Sequence, residues 1–300
     1  MSNDRNDFEP AIRNAAWWAS DTRQAIKGNA LQTVLIKQGK LPPPDLSEVE
    51  AVQMGHVMQP VIGRLAQDRL KMELKDADYM LTHFKENWFR SHFDFISVDG
   101  SALVEAKNYN AAVRHQFDPD TNRIPSVDYA QLVHEAAVHN VSKVYLAVLF
   151  GGQEFHTFEF NISEAEKSEL IKNMAVFWAH VQTGTAPEPR NIEDTKLLYP
   201  QSTDGVTFAT QDIENMVHDL KALKQKIKEY ESIGEQWELA IRNAIGENQE
   251  LRTFDGNTLV TWRSSKASMR FSSDLFKQAM PDIYDKFVIE QPGSRRFLIK

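Results

Sequence analysis

The chain has 300 residues, 42% of them hydrophobic and 25% charged, a formal net charge of −8 at pH 7 and no cysteine. That length supports one domain of roughly 200 residues with an appendage. The lack of cysteine excludes disulfides, thiol catalysis and cysteine-ligated zinc or iron–sulfur clusters. No run of 18 apolar residues is present, which excludes a helical membrane span. The polar start MSNDRNDFEP has no apolar signal core, so the expectation is a cytoplasmic protein with no membrane partner. The acidic balance argues against a nucleic-acid binder, which would usually show a basic face, but charge is uneven. Residues 251–300 hold nine Lys or Arg and five Asp or Glu, a local net of +4, so the first 250 residues carry −12.

Residues 8–39 read as helical, with Trp17 and Trp18 inside the first segment. Ser20-Asp21 fits the N-cap of a second helix, broken near Gly28-Asn29. Arg13 lies seven residues before Ser20, a spacing that also suits a surface arginine and a plain cap. Leu41-Pro-Pro-Pro44 reads as a stiff connector. From Leu46 to Lys75 the pattern is helical, with Val52, His56, Gln59, Gly63 and Ala66 on or near one face. Pro60 removes a helix hydrogen bond unless a new helix starts there, which predicts Gln59 at a helix junction. A strand is expected over 78–83.

Trp88 to Tyr109 reads as a β-hairpin about Asp99-Gly100, a strong two-residue type I′ turn signal. That turn sets Val98 opposite Ser101, Ile96 opposite Leu103 and Asp94 opposite Glu105. Side chains alternate along a strand, so Lys107 points the same way as Glu105, and His92 falls opposite Lys107. Two facing carboxylates repel across a ladder. Glu105 and Lys107 also sit among Leu103, Val104 and Ala106, in a strand that reads as mostly buried, where charges need partners. A lysine on one side and a divalent cation on the other would satisfy the pair. Spacing alone favours a solvated charged face.

Asn110 to Pro125 is a polar loop. Ser126 to Asn140 reads as a helix capped by Ser126, with Tyr129, Leu132, Val133, Ala136 and Ala137 as its apolar stripe and Gln131 and His134 beside it. Lys143 to Leu149 is a continuous apolar run, expected as a strand covered on both faces. Glu154 to Asn161 alternates as a further strand, and Ser163 caps a helix to Thr183. The order predicts an α/β core with a mixed central sheet flanked by helices, over residues 1–190. Residues 191–210 continue a proline-containing stretch and read as a linker. Residues 211–250 keep a heptad spacing through Ile213, Met216, Leu220, Leu223, Ile227 and Tyr230, and again at Trp237, Ile241 and Ala244. Coiled coil, helical hairpin and amphipathic helix packed on its own domain all remain open. Residues 251–300 read as a small basic α+β segment, with strands at 259–262, 266–271 and 295–300 and a helix from Ser273.

Asp94, then Glu105-Ala106-Lys107, then Gln131 in Tyr129-Ala-Gln131, resembles the PD-(D/E)XK nuclease core with its restriction-endonuclease-like fold. The set is more closely similar to the YqaJ-type phage recombinase exonucleases, relatives of lambda exonuclease. The resemblance covers about residues 10–190. Ser20-Asp21 with Arg13 seven residues earlier, and Gly55 to Gln59-Pro60 before the core, add to it. It implies Mg²⁺, or Mn²⁺, held by Asp94, Glu105 and the Ala106 carbonyl. Lys107 would polarise the attacking water, and Gln131 would hold that water or a phosphate. Arg13 and Ser20 would grip a terminal 5′-phosphate, and His92 would reach the DNA. The implied activity is 5′→3′ digestion of duplex DNA ends in phage-type recombination, by a homo-oligomer (a trimer in the family) working with a single-strand annealing protein. One position departs from the pattern: Gln59 stands where the family has Glu. A nuclease fold that has lost activity and holds DNA ends or a partner is therefore the alternative, and a restriction-like endonuclease is a third reading.

Overall fold

The computed structural model describes residues 10–77, 79–291 and 293–300. The expected helix start at residues 8 and 9, and Asp78 at the head of an expected strand, lie outside the described residues. The chain divides into two units at residues 199 and 200.

The first unit is built on a five-stranded mixed sheet. Its strands are β2 (Leu74–Asp76), β5 (Phe95–Ser97), β6 (Ala102–Tyr109), β7 (Lys143–Phe150) and β8 (Glu154–Asn161), in that spatial order. Only the β6–β7 pair is parallel; the crossover between them carries helix α5 (Ser126–His139). β7 is covered on both faces, as its unbroken apolar run requires. Val144, Leu146, Val148 and Phe150 face a core made with α5 and α6 (Glu164–Thr183), while Tyr145, Ala147 and Leu149 face Ile62 and Ala66 of α4 (Glu50–Leu70). Each fully buried aliphatic side chain here contributes roughly 1.5–3 kcal/mol. Ser163 and Glu166 form a capping box at the head of α6.

The hairpin arm that reads as one strand from Trp88 is two. β4 (Phe89–His92) belongs to a separate three-stranded sheet, between β1 (Trp17–Trp18) and β3 (Met80–Thr82). The chain then changes sheets at Phe93-Asp94 and continues as β5. Ile96 pairs with Leu103, as expected. His92 pairs with Met80 instead of standing across from Lys107. The turn also differs from type I′. Gly100 alone takes a positive φ, of 75°, and its N–H donates to the Ser97 carbonyl at 2.8 Å. Asp99 stays out of that region because its carboxylate is engaged: Oδ1 accepts from Ser97 Oγ, Ser101 N and Ser101 Oγ. Local side-chain hydrogen bonding thus wins over the Asp-Gly preference.

Further corrections fall at helix boundaries. Trp17 and Trp18 are strand, paired in parallel with Phe89 and Arg90, between α1 (Pro10–Asn14) and α2 (Ala19–Gln24). Ser20 and Asp21 are inside α2; Trp18 is the cap, and its N–H donates to Asp21 Oδ2 at 2.7 Å. The break expected near Gly28 is present, with Gly28 at φ 103° before α3 (Ala30–Lys37). α4 runs unbroken through Pro60, so Gln59 is not at a junction; Pro60 and His56 are both exposed, which leaves the freed His56 carbonyl to water. Residues 71–75 are not helix: 71–73 lead into β2, and 74 and 75 belong to it. Pro125, not Ser126, caps α5. A short helix, α7 (Ile192–Leu198), lies in the stretch read as linker.

Gly63 of α4 is where backbone and core meet most closely. A Cβ built there would lie 2.4 Å from the Phe95 ring. Gly63→Ala is therefore expected to destabilise the first unit by about 1–3 kcal/mol through overpacking. Thermal denaturation of the variant checks this, and an unchanged Tm contradicts the tight fit.

The second unit holds α8 (Gln211–Ile245), a hairpin of β9 (Glu250–Arg252) and β10 (Thr258–Thr261), and the short helices α9 (Ser273–Ala279) and α10 (Pro281–Tyr284). α8 is one helix through Gly234, which removes the helical-hairpin option. Residues 266–271 and 295–300 are not strands. Met269, Phe271, Phe297 and Leu298 are exposed, so no buried face fixes a register there. No helix among the described residues is long and apolar enough to cross a membrane.

Candidate active site

β6 carries Glu105 and Lys107 two residues apart, hence on one face of the sheet, toward α5. Lys107 Nζ donates to Glu105 Oε1 at 2.6 Å. Asp94 sits where the chain leaves one sheet for the other. Because β5 begins only at Phe95, the Ala106 N–H has no strand partner there and donates to Asp94 Oδ2 at 2.8 Å. From α4, Gln59 Nε2 donates to Asp94 Oδ1 at 2.8 Å. From α5, Gln131 Nε2 donates to Glu105 Oε1 at 2.6 Å. The five side chains singled out as catalytic by the sequence therefore converge on one spot. Glu105 and Gln131 form its buried floor, and Asp94, Lys107 and Gln59 are partly exposed.

The same spot holds an acid that the sequence reading passed over. Glu135 is 2% exposed, and its Oε1 accepts from Gln131 at 2.9 Å. It follows Gln131 by four residues, so both lie on the same side of the helix. A Glu in the apolar stretch Leu132 to Val138 was the available signal. Three carboxyl groups now share one lysine. Burial raises Asp94 well above its ordinary range, and Glu105 raises it further. Burial does the same to Glu135, again reinforced by Glu105. Burial by itself would lower Lys107, but Glu105, Tyr109 and Asp94 hold it above its usual value, so it is a cation. Acids crowded this way cannot all ionise without more positive charge.

A brace flanks the lysine. Tyr109, next on the Glu105–Lys107 face, donates to Asp128 Oδ1 at 2.7 Å. Arg23 of α2 donates to the same oxygen from Nε at 3.1 Å and from Nη2 at 2.9 Å. This ties α2, α5 and β6 together. His134 is structural. It is fully buried, its Nε2–H donates to the Arg90 carbonyl at 2.9 Å, and its Nδ1 accepts from Thr22 at 2.8 Å. Burial pushes its pKa down to about 3, so it stays neutral.

Arg13 and Ser20 meet as well: Arg13 Nη2 donates to Ser20 Oγ at 2.9 Å. The guanidinium lies 4.8 Å from the centre of the Trp18 ring, and His92 stacks on that ring at 5.2 Å with the planes 1° apart. His92 thus joins the Arg13–Ser20 group rather than Lys107. Buried Lys37 fixes this segment by donating to the carbonyls of Arg13 and Ala16 and pairing with Asp21 at 2.7 Å.

The donor set suits a hard cation. Asp94 and Glu105 offer carboxylate oxygens next to the Ala106 backbone, and a divalent ion would supply the positive charge that the three acids lack. Among the described residues, no three His, Asp or Glu side chains form a ready metal-binding group.

Searches of solved structures find this arrangement of elements. The alkaline exonuclease LHK-Exo of Laribacter hongkongensis in complex with dAMP matches over 60% of this chain and 93% of that one, at a TM-score of 0.50 and 13% identity. The fold is that of the alkaline exonuclease. LHK-Exo without the nucleotide matches over 58% and 91%, at a TM-score of 0.49 and 12% identity. A phage-related exonuclease of Haemophilus somnus 129PT matches over 61% and 88%, at 0.43 and 9%. No protein-family model and no curated protein matches the sequence. The restriction-endonuclease-like core implied by the sequence resemblance is therefore present, as a mixed sheet flanked by helices.

Proposed function

We propose that the chain is a Mg²⁺-dependent exonuclease that hydrolyses phosphodiester bonds from the ends of linear duplex DNA, in the 5′→3′ direction and in phage-type recombination. The observation that carries this reading is the convergence of Asp94, Glu105 and Lys107, with Gln131 behind them and Gln59 in front. LHK-Exo, of the same fold, is an exonuclease crystallised with dAMP, which supports the class of substrate.

When bound at Asp94 and Glu105, Mg²⁺ (or Mn²⁺) supplies Lewis acidity toward the phosphate and acidifies a water. The chain's own residues do the rest. The Lys107 ammonium stands ready to neutralise charge that develops on the phosphate oxygens. Gln131 orients the Glu105 carboxylate through its amide. Gln59 orients Asp94 by donating to it, a role in which Glu would instead add a fourth acid to the cluster. The Tyr109–Asp128–Arg23 brace keeps Lys107 and its strand in place. Arg13 and Ser20, held together beside Trp18 and His92, offer a guanidinium and a hydroxyl to a terminal 5′-phosphate. Assembly into a homo-oligomer, work alongside a single-strand annealing protein and a cytoplasmic setting belong to the same proposal.

The end-recognition part has its own test. Arg13→Ala is expected to abolish preference for 5′-phosphorylated over 5′-hydroxyl ends while leaving digestion of the 5′-hydroxyl duplex in place. Rates on the two duplexes measure this, and a preference kept by the variant removes Arg13 from the role. A second reading rests on the Gln59–Asp94 hydrogen bond, which replaces a charge with an amide: a fold that binds DNA ends without cutting them. If wild type leaves linear DNA intact with Mg²⁺ and Gln59→Glu cuts it, this second reading holds.

A further inference from the structure

We propose that α8 pairs with the α8 of a second copy of this chain as a parallel, in-register, two-stranded coiled coil. The helix has 35 residues, about 52 Å of length at 1.5 Å per residue. Its heptad seam stands in solvent: Met216 is 63% exposed, Leu223 54%, Tyr230 73% and Trp237 69%. This apolar stripe, interrupted in its a and d positions only by Gly234, needs a partner with a matching stripe.

The flanking charges identify that partner. With Ile213 and Ile227 at a positions and Met216 and Leu223 at d, the g positions hold Asp219 and Lys226 and the e positions hold Lys224 and Glu231. In a parallel pair in register, each g residue meets the e residue five places on in the other helix. Asp219 then meets Lys224, and Lys226 meets Glu231. Both contacts are opposite in sign, and the twofold axis doubles them. An antiparallel pair over the same seam would still bring Lys224 to Glu231, but would set Asp219 and Lys226 against Ala240 and Ile233. The same sequence thus complements itself best in the parallel sense. Within its own unit α8 is touched beside this seam, with Lys221 donating to the Lys300 carbonyl and Lys224 near the Phe297 ring. The pairing does not rest on the active-site part of the nuclease reading, which involves only the first unit.

The chain has no cysteine, so one introduced thiol reports cleanly. Met216→Cys and Ala244→Cys, each in the full chain, put a d-position thiol at either end of the seam. Ser232→Cys puts one on the outward side. Under mild oxidation both seam variants are expected to run as covalent dimers on a non-reducing gel, and Ser232→Cys as monomer. Adding Lys226→Glu to Met216→Cys is expected to cause loss of most of the covalent dimer by setting Glu against Glu231, and Glu231→Lys added to that is expected to restore it. Failure of either seam variant to cross-link, equal cross-linking of Ser232→Cys, indifference to Lys226→Glu, or no rescue by Glu231→Lys would each overturn the proposal.

Discussion

Glu105→Gln is expected to slow Mg²⁺-supported hydrolysis of linear duplex DNA by about 10²–10³-fold, the range seen when one group that stabilises a transition state is removed. The substitution keeps the size of the side chain and removes its charge. Glu105 is the residue on which the site converges: Lys107 and Gln131 both donate to its Oε1 at 2.6 Å. A neutral amide there offers the cation a weaker ligand and leaves Lys107 with Asp94, Glu135 and Tyr109. Lys107→Ala is expected to lose a similar factor for a different reason, since it removes the ammonium proposed to neutralise charge on the phosphate while leaving both carboxylates. Initial rates on a linear duplex, with circular dichroism to confirm that each variant is folded, make the comparison. A folded Glu105→Gln variant that cuts at the wild-type rate would place the chemistry elsewhere.

The second large effect is on stability. Asp94 and Glu135 are both raised in the folded protein, first by burial and then by Glu105. Between the unfolded carboxylate range near pH 4 and their raised folded values, the folded state holds more protons than the unfolded chain. Their contribution is therefore fully present below about pH 4 and is lost as pH rises through the folded values. In EDTA, the melting temperature should fall from mildly acidic toward alkaline pH through this pair. Mg²⁺ competes with those protons, so its stabilisation should be small near pH 5 and large near pH 8. At 100 times the dissociation constant it amounts to about 2.7 kcal/mol. Glu135→Gln removes one of the crowded acids and should flatten the EDTA curve. Calorimetry at both pH values, with Mg²⁺ and with EDTA, reads all of this. Identical pH profiles with and without Mg²⁺ would show that no cation enters among these acids.

Much of the site was legible because its residues sit where local rules make them conspicuous. Charges inside the apolar strand Ala102–Tyr109 need partners, and the Ile96–Leu103 register aims Asp94 at them without any knowledge of the fold. Gln59 and Gln131 were placed by resemblance, and the structure joins each to one of the two carboxylates. The misreadings come from tertiary demands that local pattern does not carry. His92 went astray because nothing in Trp88–Val98 marks the point where the strand changes sheets. Trp17 and Trp18 look helical in sequence, yet they pair with β4. Glu135 was passed over because a lone acid in an amphipathic helix reads as a surface residue until Gln131, four places back, is seen pointing inward. Asp128 and Arg23 form a brace across 105 positions of chain, a contact no periodicity announces. In the second unit, strands expected at 266–271 and 295–300 have the composition of strands but no buried face.

The most direct test of the account is digestion of one DNA in two forms, linear duplex and covalently closed circle, by the wild-type protein with Mg²⁺ or with EDTA. The account predicts progressive loss of the linear form with Mg²⁺, none in EDTA, and an intact circle under both conditions. Cutting in EDTA, or a circle cut as fast as the linear duplex, would contradict it.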